Sequence, residues 1–343
     1  MVNTHLKKLL KAYRESDVAF QATSYWESYE KDITDTISKI DISELRSGKY
    51  PILATFGFND VVFTYHPHMS VIRKYILKFI QQFLIGERSI LPYANSLHSL
   101  RQAAMANCKM FGELTGAKPI KLINMSKFGN PADLINYENN SYSVAFLDYY
   151  YRYCFANKYI KLRGDEVIVE LGSGSGYQIE MLKKFYPDLT ILCFDLPAQL
   201  YLCELYLSEA VSREQVVSSE ETIYWDDLSG IQKGKIHFFG SWQFPMLKNI
   251  KIDIFWNAAS FGEMEPEIVQ NYLGYILDNA TWVYLLQTRF GKELAGKTHV
   301  KKQTSLEDYQ KFLEGFEVAA IQDANKTFGC LPGYFEGVWK KLT

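Results

Sequence analysis

Residues 166–197, EVIVELGSGSGYQIEMLKKFYPDLTILCFDLP, hold a strand, a glycine-rich turn, a helix and a second strand, in that order. Val167, Ile168, Val169 and Leu171 form a short, mostly β-branched apolar run, the pattern of a strand buried on both faces of a parallel sheet. Gly172, Gly174 and Gly176 end it. Without Cβ atoms they can take positive φ and let a ligand approach the backbone, while the helix that follows offers unpaired N–H groups. That helix runs to about Phe185 and stops before Tyr186-Pro187-Asp188. Thr190 to Phe194 is the second strand, and Asp195 stands at its carboxyl end, where an acid can accept hydrogen bonds from both hydroxyls of a ribose. The layout is a site for an adenosyl ligand. A dinucleotide turn, G-x-G-x-x-G, would need glycine at position 177, which is Tyr177. No P-loop pattern occurs, and Gly174 stands where a hydrolase elbow would need serine.

The alternation of strands and helices continues after Asp195, as a doubly wound α/β domain requires. Ala198 to Ala210 reads as a helix, Lys235 to Phe239 as a third strand and Asp253 to Trp256 as a fourth. Pro266 to Leu277 is the next helix and Trp282 to Leu286 the fifth strand. Ser305 followed by Asp308 marks a helix start, and Phe316 to Ile321 with Tyr334 to Trp339 supply an antiparallel edge pair. Before the glycine turn, residues 1–140 read as mainly helical, a possible cover for an acceptor or an oligomerisation element, with residues 141–343 as the ligand-binding domain. Leu6, Leu9, Leu10 and Tyr13 share one helical face; Val71, Ile72, Tyr75, Ile76, Phe79, Ile80 and Phe83 share a wider one, read as packed on a core. Tyr142 to Ile160 is a tyrosine-rich helix leading into the first strand.

The pattern Glu170-Leu-Gly-Ser-Gly-Ser-Gly176 resembles motif I of class I S-adenosylmethionine-dependent methyltransferases. The resemblance implies a Rossmann-like sheet of seven strands, mostly parallel with an antiparallel edge pair. It implies that Glu170, Gly172, Ser173, Gly174 and Gly176 frame the amino-acid end of S-adenosyl-L-methionine and that Asp195 holds its ribose. Leu196 and Trp242 would sandwich the adenine, Ser241 or Gln243 would read its edge, and Asn257 would stand near cofactor or acceptor. The Tyr142–Ile160 helix is a candidate lid. Three shorter pieces resemble a family of sugar O-methyltransferases: Gly129-Asn130-Pro131, Asp195-Leu-Pro197 running into Ala198-Gln-Leu-Tyr-Leu, and Asn257 through Ser260-Phe-Gly-Glu-Met264. That resemblance covers about Lys127 to Leu286 and implies a small-molecule acceptor, a sugar or glycoconjugate.

A sugar hydroxyl is a weak nucleophile until its proton is leaving, so a general base is expected. Glu263, in the turn after the fourth strand, is the first candidate for a catalytic residue; its alternative role is to cap the helix that follows. His299 is the second, in a loop with Lys292, Lys297, Lys301 and Lys302, a cluster able to meet a diphosphate. His66 and His68 lack further ligands, and no C-x-x-C pair occurs, so no metal is expected. A net charge of −2 gives no electrostatic case for nucleic acid. Five widely spaced cysteines read as buried free thiols, and no apolar run is long enough to span a membrane. The N-terminus lacks a signal peptide's apolar core, so the expected location is cytoplasmic. Three alternatives stay open: an N-methyltransferase on an amino sugar or other small amine, an NAD-dependent oxidoreductase with Asp195 again on the ribose, and a scaffold without turnover.

Overall fold

The structure, a computed structural model, describes residues 4–58, 72, 75–76, 79, 90–131, 134–294, 299–326 and 329–342. The N-terminal region contributes α1 (Thr4–Arg14), α2 (Ser24–Ile37) and α3 (Ile90–Thr115), followed by a hairpin of β1 (Leu134–Tyr137) and β2 (Asn140–Ser143). Then come α4 (Val144–Ile160), β3 (Val167–Leu171), α5 (Tyr177–Phe185), β4 (Thr190–Asp195) and α6 (Pro197–Ala210). Next are β5 (Val216–Val217), α7 (Ser219–Thr222), β6 (Ile236–Gly240), β7 (Ile252–Ala258), α8 (Pro266–Gly274) and β8 (Ala280–Thr288). The chain closes with α9 (Leu306–Phe312), β9 (Phe316–Lys326) and β10 (Gly329–Lys341).

The main sheet runs β5-β6-β4-β3-β7-β8-β10-β9. It is parallel from β5 to β8, and β10 pairs antiparallel with both β8 and β9. The chain leaves β3 first toward β4 and β6, then crosses to β7, which makes the β3/β7 boundary the topological switch point where an open α/β sheet binds ligands. The two faces of β3 feed different cores: Ile168 packs with the tyrosine-rich α4 and with α5, whereas Val169 and Leu171 pack with Phe194, Phe255 and Leu285. Burial on both faces is why the strand reads as a continuous apolar run.

The sheet has eight strands, not the seven expected. The extra one, β5, is a two-residue edge pairing to Ile236 and His237, too short to carry any periodicity. The β1–β2 hairpin is a second departure from the mainly helical reading. Glu138 takes φ 52° in its turn, and the buried Tyr142 hydroxyl donates to the carbonyls of Ile120 at 3.0 Å and Ile123 at 2.9 Å. The 140/141 division falls inside this hairpin. Leu6, Leu9, Leu10 and Tyr13 are buried, as the α1 periodicity requires. Ile72, Tyr75, Ile76 and Phe79 are instead exposed; the rest of that stripe, His66, His68 and Lys297 lie outside the described residues. Ser305 caps α9 with Asp308 returning the bond to the Ser305 N–H at 2.9 Å. Cys108, Cys154, Cys193 and Cys203 are buried free thiols. Among the described residues no helix is long and apolar enough to cross a membrane.

One arginine fastens the N-terminal region to the sheet domain. Arg46 is fully buried; its Nε donates to the Phe128 carbonyl at 2.9 Å, Nη1 to the Tyr206 hydroxyl at 3.0 Å and Nη2 to the Ser126 carbonyl. Its guanidinium also lies 5.0 Å from the Tyr177 ring and 4.7 Å from the Tyr206 ring, cation–π contacts that strengthen when desolvated. Gly129-Asn130 belongs to this joint. The Arg46 N–H donates to the Gly129 carbonyl at 2.6 Å, and Asn130 Nδ2 lies 3.2 Å from both Glu44 carboxylate oxygens. A Cβ on Gly129 would meet Leu45 at 3.0 Å. These two residues of the sugar-family resemblance therefore build the joint.

Candidate functional site

A cavity of about 290 Å³ opens at the switch point. Its floor is the turn after β3, with Gly172, Ser173 and Gly174, together with Glu170 and Leu171. Asp195, Leu196 and Gln199 come from the end of β4 and the start of α6, Ser241 from the end of β6, and Ala258 to Ser260 from the end of β7. Tyr149 and Arg152 of α4 form one wall. Thr23, Trp26, Phe56 and Gly57 of the N-terminal region form another, facing Glu263, Met264 and Tyr272.

The turn's glycines have different jobs. Gly172 and Gly176 are packing positions, where a Cβ would come within 2.7 Å of Ser260 and 3.0 Å of Leu207. A Cβ on Gly174 would find nothing closer than 3.9 Å, because this residue faces the cavity at φ 56°. Asp195 closes over the turn: Oδ2 accepts from the Gly174 N–H at 3.2 Å and lies 3.4 Å from Ser173 Oγ, while Oδ1 accepts from the Leu196 N–H at 2.8 Å. Burial pushes its carboxyl up to about 7, against the pull of those donors. Glu170 is also buried, and its carboxyl stands well above the usual range; the Arg152 charge pulls it down and Asp195 pushes it further up. Gln199 Nε2 donates to the Gly174 carbonyl and fixes the far side of the turn. A further sign of a built site is Ala259, a non-glycine residue at φ 70° whose N–H donates to the Leu286 carbonyl at 2.7 Å. Such a conformation costs about 1–2 kcal/mol and persists where surrounding contacts enforce it.

Glu263 sits across the cavity from the glycine turn. Its Oε2 accepts from Trp26 Nε1 at 2.9 Å, its Oε1 lies 3.8 Å from Lys292 Nζ, and its main-chain carbonyl accepts from Thr23 Oγ1 at 2.8 Å. Burial raises the carboxyl to about 7, with Lys292 and Trp26 holding it lower than burial alone would. It does not cap the next helix, since α8 begins at Pro266 with Glu265 in the cap position.

The structure thus brings together Glu170, Gly172, Ser173, Gly174, Asp195, Leu196, Ser241 and Glu263. Gly176 stands behind the turn as the cap position of α5. Ser241 lines the cavity, but its hydroxyl donates to the Phe20 carbonyl at 2.7 Å. Three expected contacts fall elsewhere. Trp242 does not line the cavity; its ring lies over Gly240 and 5.9 Å from Tyr13. Gln243 turns inward, accepting from the Gly240 N–H at 3.1 Å and donating to the Thr222 carbonyl at 2.7 Å. Asn257 is fully buried behind the wall, with Nδ2 donating to the Leu171 carbonyl at 2.8 Å and to Ser260 Oγ at 2.6 Å, and Oδ1 accepting from the Phe261 N–H at 3.2 Å. It holds the loop after β7 against β3. His299 also stands away from the cavity lining. Of the lysines near it, Lys292 donates to the Tyr334 hydroxyl at 2.9 Å and Lys302 pairs with Glu267 at 3.0 Å. Trp26 and Phe56 were not singled out by the sequence. Tyr149 and Arg152 lie on the tyrosine-rich helix read as a candidate lid, and Gln199 in the Ala198-Gln-Leu-Tyr-Leu stretch, but none of the three was named for the site.

No protein-family model and no curated protein matches the chain. Among solved structures it is similar to the pyocyanin biosynthetic protein PhzM, at 14% identity over 55% of this chain and 54% of that one, with a TM-score of 0.37. An O-methyltransferase family 2 protein from Planctomyces limnophilus in complex with apigenin matches at 10% identity over 52% of this chain and 50% of that one, TM-score 0.37. A SAM-dependent methyltransferase from Aquifex aeolicus matches at 12% identity over 55% of this chain and 88% of that one, TM-score 0.36. The match spans about half the length of the first two proteins. Likenesses at this level carry no argument about activity, which rests on the cavity's own residues.

Proposed function

We propose that the chain is an S-adenosylmethionine-dependent O-methyltransferase acting on a hydroxyl of a sugar or glycosylated small molecule. One observation carries this reading: at a switch-point cavity, the buried Asp195 carboxylate sits against a glycine turn whose middle residue leaves room for a ligand. The residues fit the cofactor. Asp195 offers acceptors to a ribose, and the acids of the cavity suit a ligand that carries a sulfonium and an ammonium. When bound, S-adenosylmethionine supplies an electrophilic methyl group and leaves as a neutral thioether.

The chain's own part is to position the acceptor, exclude water and take a proton. Glu263 suits the last task. Its carboxyl, raised to about 7, is close to neutral pH, where a base is both sufficiently ionised and sufficiently basic. Trp26 and Lys292 hold it in place, so the acceptor hydroxyl gives its proton to a fixed oxygen. Two features support a sugar: the resemblance of three short stretches to a sugar O-methyltransferase family, and the Trp26 and Tyr272 rings lining the cavity with the Glu263 carboxylate. Aromatic faces suit the apolar face of a sugar and a carboxylate suits its hydroxyl rim.

The test is isothermal titration with S-adenosylhomocysteine, with NADH as the control, followed by mass detection of methylated product across a panel of sugars and glycosides. Micromolar binding of S-adenosylhomocysteine alone is expected. NADH binding in its place would overturn the cofactor reading, and methylation of amines in preference to hydroxyls would overturn the acceptor reading.

A further inference from the structure

Arg152 projects from α4 into the cavity wall next to Tyr149, with its guanidinium carbon 4.2 Å from the Tyr149 ring centroid. Its electrostatic neighbours are Tyr149, Asp148 and Glu336, Tyr284 on β8, and Glu170 at the end of β3. The Tyr149 ring is a cation–π contact, and among the described residues Arg152 makes no hydrogen bond and no ion pair. A half-buried guanidinium carries five N–H donors, and here those donors are left to whatever occupies the cavity. Arg46, by comparison, engages two carbonyls and a hydroxyl. Arg152 is therefore a cation aimed at a space that the protein itself does not fill.

Its position says which anion belongs there. It lines the cavity together with Glu170, whose carboxyl feels its charge, and with the glycine turn, Asp195 and Glu263. An α-amino acid group presents an ammonium and a carboxylate on one carbon, and the Glu170–Arg152 pair presents the complementary groups in one cavity. Arginine suits a carboxylate because its planar fork can donate two parallel hydrogen bonds. We propose that Arg152 binds the carboxylate of the cofactor's amino-acid group and thereby selects ligands that carry it. This inference rests on the cofactor reading above.

The experiment compares two ligands on three proteins. S-adenosylhomocysteine has the amino-acid group; 5′-methylthioadenosine keeps the adenosine and the thioether but lacks it. Both are titrated into wild type, Arg152→Gln and Arg152→Lys, with circular dichroism to confirm that each variant is folded. The wild type should bind S-adenosylhomocysteine more tightly. Arg152→Gln should weaken that ligand by about 10- to 100-fold, the scale of a charge-assisted hydrogen bond, and change methylthioadenosine binding by less than about 2-fold. Arg152→Lys, which keeps the charge but not the fork, should fall between. Equal losses for both ligands, or none for either, would overturn the carboxylate assignment while leaving the cofactor reading intact. A wild type that binds neither ligand would overturn the cofactor reading and this inference with it.

Discussion

The glycine turn gives the sharpest prediction, because its residues separate packing from binding. Gly174→Ala places a methyl group at φ 56° with no atom nearer than 3.9 Å, so its structural penalty is the left-handed backbone alone, about 1–2 kcal/mol. Gly172→Ala adds a 2.7 Å clash with Ser260, which Asn257 holds in place, to a similar backbone penalty at φ 78°. Overpacking of that kind adds about 1–3 kcal/mol, for a total of about 2–5 kcal/mol. With an unfolding entropy of about 2.1 cal/mol/K per residue, a chain of 343 residues loses roughly 1.4 °C of Tm per kcal/mol. The expected falls are thus about 1–3 °C for Gly174→Ala and about 3–7 °C for Gly172→Ala. Ligand binding should rank them by a different rule. The Gly174 methyl enters the space where the ligand meets the turn, so S-adenosylhomocysteine should bind at least about tenfold more weakly despite near-normal stability. Thermal melts with and without S-adenosylhomocysteine read both quantities in one assay. A Gly174→Ala protein that melts as low as Gly172→Ala, or that binds the ligand like wild type, would refute the assignment of that glycine to the binding surface.

Asp195→Ala should lower S-adenosylhomocysteine affinity by about 30- to 1000-fold, the loss of about 2–4 kcal/mol of hydrogen bonding to a charged acceptor, and an unchanged titration would remove the ribose assignment. Glu263→Gln should lower turnover by about 10²- to 10⁴-fold while S-adenosylhomocysteine binding stays within a few-fold. Because the base works ionised and its carboxyl lies at about 7, wild-type turnover should fall about tenfold per pH unit below that value, and the variant should lack this limb; a retained limb assigns the base elsewhere. Burial raises Asp195 and Glu263 to about 7, so the cavity retains protons at neutral pH that a cationic ligand drives off. S-adenosylmethionine binding should therefore release protons at pH 7 and tighten from pH 6 to 8, seen by titration in two buffers of different ionisation enthalpy; proton uptake would contradict the charge placement.

What the sequence discloses follows the range of each interaction. The run from β3 through the turn and α5 to β4 was legible because its signals are local: a doubly buried strand, glycines at a turn, a helix stop before Pro187, and an acid at a strand end. The Ser305–Asp308 cap was legible for the same reason. Asn257 shows the limit. Its place in the loop after β7 suggested ligand contact, but its amide meets Leu171, Ser260 and Phe261, partners that only the crossover from β3 to β7 brings together. Trp242 follows β6 as an adenine-stacking residue would, yet its indole folds over Gly240, whose missing side chain leaves the room. The two-residue β5 is below the length at which any period exists.

Glu263 marks the same boundary from the other side. Two of its three anchors come from the N-terminal region: Thr23 holds its main-chain carbonyl and Trp26 its carboxylate, across 240 and 237 residues of sequence. The hydrogen bonds that tie the turn to Asp195 and Gln199 come instead from residues 173 to 199, the segment from the turn through β4 into the first turn of α6. The proposed ribose contact is thus a property of a short segment, whereas the position of the proposed base depends on the first helices packing over the sheet. A protein could therefore keep the first while losing the second. That asymmetry is why the glycine turn names a cofactor from sequence, while the acceptor, which meets residues from both halves of the chain, is recorded only in the folded cavity.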